Sequence, residues 1–240
     1  MTALRNTIDV RIMATRKREG IVKAILSQIG MDESVVFYDD AGIGCLPNAM
    51  RAWSAPIKEG CTHVMVLQDD IEVVDDFMEI CNIAIRTFPR AAIIPFCRYL
   101  KPEDRKTDSP YIYMKNKQVS GQCIILTRDD AEKMVQFYET KVKHLKYRHD
   151  DGVIGTYLLL NDTPTFSTIP SLVQHICPED SVIHRSHNFA KNISYVWEGR
   201  DVLNRYDWTD KRYSVFSLAH NFYVPEFKNE IREKRKSCMM

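Results

Sequence analysis

The chain has 240 residues, 45% of them apolar, and its 33 basic and 32 acidic side chains leave a net charge of +1. That is enough sequence for one α/β domain with a sizeable core, and the ordinary composition excludes repeat and low-complexity architectures. No stretch approaches 18 apolar residues and MTALRNTIDV lacks the apolar run of a signal peptide, so a soluble, cytoplasmic protein is expected. The seven cysteines (45, 61, 81, 97, 123, 177 and 238) are odd in number and never spaced Cys-x-x-Cys, which predicts reduced thiols. Charge is uneven: residues 1–85 carry 8 basic and 13 acidic side chains, residues 86–148 carry 14 and 7, and the rest 11 and 12. A basic middle beside an acidic first third suggests separate surfaces, one for a polyanionic partner, unless the lysines merely form a solvated face.

In chain order, TIDVRIMAT reads as a first strand, followed by a basic turn and a helix, REGIVKAILSQIG, that stops at Gly30. SVVFYDD is a second strand ending in acids, and AGIGCLPNAMRAWSAPIKEG a loop leading into a helix. THVMVLQDD is a third strand, DDFMEICNIAIRTF a helix capped by Asp75 or Asp76, and AAIIPF a fourth strand. This alternation predicts a mostly parallel sheet with helices on both faces. RYLKPEDRKTDSPYIYMKNKQ is polar and proline-broken and reads as a loop or short hairpin; SGQCIILT is a strand and RDDAEKMVQFYETKV a helix. HDDGVIGTYLLLN opens a further helix, PTFSTIPSLVQHI is extended, and the remainder is irregular until a basic helix near PEFKNEIREKRK. Residues 1–190 are expected to form the main domain, with 191–240 an extension packed on it.

The third strand runs straight from apolar chain into Asp69-Asp70. Either the pair begins a solvated turn or something positive sits against it. In a parallel sheet, ligands bind beyond the carboxyl ends of the strands, which brings Asp39, Asp40, Asp69 and Asp70 to one edge and suits a hard divalent cation. The order of elements, with VMVLQDD after the third strand, resembles metal-dependent glycosyltransferases of the GT-A fold, a Rossmann-like mixed sheet flanked by helices. Gln68-Asp69-Asp70 stands at the Asp-x-Asp positions of that family, with Gln68 replacing the first acid. The resemblance implies a nucleoside-diphosphate sugar donor, UDP-linked foremost, and Mn2+ or Mg2+ held by Asp70, with Asp69 facing the sugar or ribose.

HDDGVIGTYLLLN resembles the acceptor-side element of such enzymes, which makes Asp151, ahead of Asp150, the implied base; a plain helix cap is the alternative. PSLVQH resembles a segment from which a histidine completes the metal shell, so His175 is implied, with His184 or His187 in reserve. Thr15, Arg16 and Arg18, in ATRKREG, sit where the family grips the nucleotide. GIG at 42–44 lacks the third glycine of a dinucleotide fingerprint and argues against a dehydrogenase.

Small chains of this style also resemble bacteriophage enzymes that glycosylate hydroxymethylated bases in DNA, which would put this one in the host cytoplasm. Arg98, Lys101, Arg105, Lys146 and Arg148 supply a basic rim for such an acceptor, and Trp197 and Trp208 offer stacking faces or else pack the C-terminal segment. Three alternatives remain: a non-DNA acceptor such as a glycan, a sugar nucleotidyltransferase, and a non-catalytic nucleic-acid-binding module.

Overall fold

The computed structural model describes residues 7–117, 119–176, 193–217 and 223–237. Strand β1 (Ile8–Ala14) is buried along its whole length, although the charged Asp9 and Arg11 alternate with Ile8, Val10 and Ile12. Ile8, Val10 and Ile12 face helices α1 (Glu19–Ile29) and α3 (Phe77–Thr87). Met13 faces the other layer, where α2 (Cys45–Ser54), α4 (Arg128–Phe137), α5 (Asp150–Leu160) and α6 (Lys228–Ser237) pack.

The central sheet has eight strands: β1, β2 (Val36–Tyr38), β3 (His63–Gln68), β5 (Ala92–Ile94), β6 (Tyr111–Met114), β7 (Cys123–Thr127), β8 (Thr165–Thr168) and β10 (Ser214–Phe216). Their spatial order is β10-β6-β8-β5-β7-β3-β1-β2. β2, β1 and β3 are mutually parallel, β7 runs antiparallel between β3 and β5, and β8 lies parallel to β5. This is a Rossmann-like mixed α/β sheet flanked by helices. A separate antiparallel ribbon joins β4 (Ile71–Val73) to β9 (Val173–His175), with Ile71 opposite His175. Among the described residues, no helix is long and apolar enough to cross a membrane.

Two stretches differ from the sequence expectation. The polar 98–118 stretch is no free hairpin: β6 is inserted into the main sheet between β8 and β10. The irregular C-terminal segment adds the edge strand β10 and packs Val224, Phe227 and Ile231 against α5. Both strands are too short for their periodicity to show. At α3, Asp76 occupies the cap position with φ 56 but forms no side-chain cap bond, while Asp75 pairs with Arg200 at 3.2 Å.

One charged contact lies inside the core. Arg11, 2% exposed, pairs with Asp9 at 2.8 Å and donates to the carbonyls of Ala52, Trp53 and Pro56, tying β1 to the end of α2. Asp9 also accepts from the Lys58 amide at 3.3 Å. Removing one partner of a buried pair leaves the other charge uncompensated, at a cost of about 3–5 kcal/mol. Arg11→Met is expected to lower unfolding stability in urea by that amount; a loss below about 1 kcal/mol would mean the pair is not needed for folding.

Candidate active site

Met13 of β1 pairs with Gln68 of β3, so the two strands end side by side and the chain leaves both at one edge of the sheet. Asp69 follows directly. Its Oδ2 accepts from the Thr15 amide at 2.7 Å and its Oδ1 lies 2.6 Å from Arg18 Nη1. The same Nη1 reaches Asp70 Oδ2 at 3.0 Å. The positive group against the acidic pair is therefore Arg18, only 9% exposed, at the entry to α1. Burial works against its charge, but Asp70 and Asp69 outweigh burial and hold its pKa above the ordinary value. Burial likewise raises Asp69, with Arg18 and the Thr15 amide opposing.

The β4–β9 ribbon brings in a residue more than a hundred positions away. His175 Nε2 lies 3.2 Å from Asp70 Oδ2, and the Ile176 amide donates to the Asp70 carbonyl at 2.9 Å. Asp70 Oδ1 is buried and has no hydrogen-bond partner among the described residues. His184 and His187 lie outside the described residues.

Thr15, Arg18, Asp39, Gln68, Asp69 and Asp70 line one cleft of about 120 Å³, with Cys45 and Asn48. Asp39 shapes its wall by accepting from the amides of Ile43 at 2.7 Å and Gly44 at 2.9 Å. Gly44, at φ 97, takes a backbone conformation that other residues avoid. Arg16 and Asp40 stand outside this wall, paired at 2.8 Å and both more than half exposed, with Arg16 over the Tyr38 ring.

Asp150, the first residue of α5, is buried, with Oδ1 3.9 Å from Cys45 Sγ. It does not itself line the cleft but lies behind Cys45 and, across Gly121, near Gln68, both of which do. A Cβ at 121 would stand 2.8 Å from Gln68 Nε2 and 3.2 and 3.3 Å from the Asp150 oxygens. The missing side chain is what lets Gln68 and Asp150 approach each other. The sequence signal was an isolated glycine at the edge of an apolar strand, which marks close backbone approach.

Burial, then the negative charge of Asp151, pushes the Asp150 carboxyl up to about 7. Burial also raises Asp151, opposed by the Gly152 amide at 2.7 Å, His149 and Arg98. Desolvation, then the charges of Asp150 and Asp151, push the half-buried Cys45 thiol's pKa up.

The residues read as an acceptor rim are more dispersed in role. Lys146 and Arg148 are exposed just ahead of α5. Arg98 lies over the Tyr99 ring, Lys101 is 3.9 Å from Glu103, and Arg105 donates to the Thr107 and Asp108 carbonyls while covering Tyr206. Trp197 is half-buried against the core. Trp208 offers no stacking face: it is 3% exposed, edge-on to Tyr111, and its carbonyl accepts from Tyr111 and Thr87. It holds the C-terminal segment down.

No protein-family model matches the sequence, and no curated protein does. Among solved structures, a glycosyltransferase involved in the glycosylation of the major capsid of PBCV-1 is similar at 11% identity and a TM-score of 0.37. The match covers 70% of this chain and 94% of that one.

The raised Asp150 pKa fixes the sign of a pH effect. Below about pH 4 the carboxyl is protonated in both states and the folded state carries no penalty. As pH rises towards 7 the unfolded chain releases the proton first, so stability falls across that window and the loss is complete above it. Asp150→Asn is expected to remove this decline. Parallel stability profiles of variant and wild type between pH 4 and 7 would show that Asp150 ionises normally.

Proposed function

We propose that this chain is a glycosyltransferase, moving a sugar from a nucleoside-diphosphate sugar, UDP-linked foremost, to an acceptor hydroxyl with Mn2+ or Mg2+ bound. The observation that carries the reading is the buried Asp70 Oδ1, unpartnered among the described residues, beside His175 at the mouth of the sheet. An orphaned buried carboxylate oxygen is costly, and a hard cation completed by phosphate oxygens and water would satisfy it. Among the described residues no cluster of three or more His, Cys, Asp or Glu side chains forms a cage, which suits a cation shared with a substrate diphosphate. Asp70 and His175 would hold the ion, which when bound neutralises the departing diphosphate.

The chain's own groups supply the rest. Arg18 spends only Nη1 on the acidic pair, and its Nε and Nη2 make no hydrogen bond to a described residue, which leaves them for phosphate oxygens. Asp69, fixed by Thr15 and Arg18, orients the sugar or ribose. In an inverting transfer, Asp150 accepts the acceptor's hydroxyl proton as that oxygen bonds to the anomeric carbon and the bond to the diphosphate breaks. Asp150 is preferred here to Asp151 because it faces Gln68 across Gly121 and because a pKa of about 7 matches a base working near neutrality. For the acceptor we propose a 5-hydroxymethylated pyrimidine in DNA. The support is the exposed Lys146 and Arg148 leading into the acidic pair, a basic approach suited to a phosphate backbone.

A panel of nucleotide-sugars with Mn2+, scored first for slow hydrolysis and then for transfer to hydroxymethylated duplex, unmodified duplex or a free glycan, tests the whole reading. Donor turnover is expected to stop in EDTA and to fall at least about 100-fold in Asp70→Ala with the fold intact. Full activity in that variant removes the proposal, and transfer to the glycan alone removes DNA as acceptor. Pyrophosphate release from a nucleoside triphosphate would identify a nucleotidyltransferase instead.

Gly121→Ala tests the cleft geometry separately. The Gln68 amide can swing aside while the firmly packed Asp150 cannot, so thermal stability should fall modestly and turnover drop about 10- to 100-fold as Gln68 is displaced. Unchanged turnover would separate this contact from the chemistry.

A further inference from the structure

A second cavity, of about 700 Å³, opens at the opposite edge of the sheet from the acidic cleft. Strand direction puts it there. β6 and β10 run against β5 and β8, so their C-terminal ends, which line it, lie where the parallel strands begin. Helix α5 connects the two places, with Asp150 behind the cleft and Leu159 at the cavity, roughly 15 Å apart along its axis.

Among the described residues, the charged groups on this wall are Lys115, Lys117 and Lys234 against one carboxylate, Asp162, which lies 3.0 Å from Lys234. Lys117 is the unusual member. It is 4% exposed, and its ammonium meets the Tyr113 hydroxyl at 2.7 Å and the Tyr113 ring at 4.5 Å. No carboxylate among the described residues pairs with it. Its backbone sits at φ 50, at the end of a turn in which its amide donates to the Met114 carbonyl at 3.0 Å. A buried ammonium that among the described residues meets only a hydroxyl and a ring, on the wall of an open cavity, suits an anion. Tyr213, 44% exposed and 5.8 Å from Tyr113 between ring centroids, gives the same cavity an aromatic wall.

We propose that this cavity binds a small phosphate monoester carried on a planar ring, its phosphate between Lys117 and Lys115 and its ring against Tyr213. The site is independent of the cleft chemistry and stands or falls without it. Calorimetric titration of the full chain with phenyl phosphate, inorganic phosphate and phenol tests the proposal. Phenyl phosphate is expected to bind saturably, phosphate about tenfold more weakly, and phenol not at all. Lys117→Met keeps the packed stem and removes the charge. It should weaken phenyl phosphate at least about tenfold while the melting temperature holds or rises, because no anion is left unpaired. Should that variant fail to fold, Lys115→Glu with Tyr213→Ala, both exposed, should weaken binding by a similar factor. No saturable binding of phenyl phosphate to the wild type, or undiminished binding in these variants, overturns the proposal.

Discussion

The site depends on one ion contact, the Arg18 guanidinium set against Asp69 and Asp70. Two adjacent carboxylates near 4 Å apart repel by about 4 kcal/mol at the effective dielectric of a partly buried site. Without a cation, the end of β3 would have to turn outward into water or take up a proton. Arg18 removes that choice, and because it lies at the entry to α1 it also fixes how the chain leaves β1. Among the described residues the pairing leaves one negative charge unbalanced, with an unpartnered oxygen on Asp70 and an imidazole beside it. Full neutralisation would make an inert structural ion pair; partial neutralisation leaves a seat.

How much of this was legible in the sequence follows from what each feature needs. β1, β3, α1 and α3 announce themselves because alternation, an apolar run or a 3.6-residue period is a local property. β4, β6, β9 and β10 are three or four residues long, too short to carry a period, and only pairing across the chain makes them strands. The same division holds at the site. Asp69-Asp70 was visible as an abrupt end to an apolar strand. That Arg18 is their partner was not visible, since the turn after β1 contains three basic residues and sequence does not say which one folds inward. Gly121 escaped because its requirement is a contact with Gln68 and Asp150, distant in the chain. Trp208 was open to misreading because aromatic and arginine-rich composition is the same whether the ring stacks on a ligand or on Tyr111.

The placement of Asp150 shows burial deciding against a favourable dipole. A carboxylate at a helix N-terminus gains about 1 kcal/mol from the aligned peptide groups, less than one unit of pKa. Against this stand loss of solvent and the adjacent Asp151 charge, and the carboxyl ends near neutrality. The helix behind it does not yield. Every residue from Gly152 to Leu158 is buried, Tyr157 is bonded to Asp130 at 2.9 Å, and Thr156 accepts from the Val224 amide at 2.8 Å. A group held this firmly cannot lower its pKa by swinging out to water. Its proton affinity follows from that burial and from the Asp151 charge beside it, and the core packed around α5 keeps both in place.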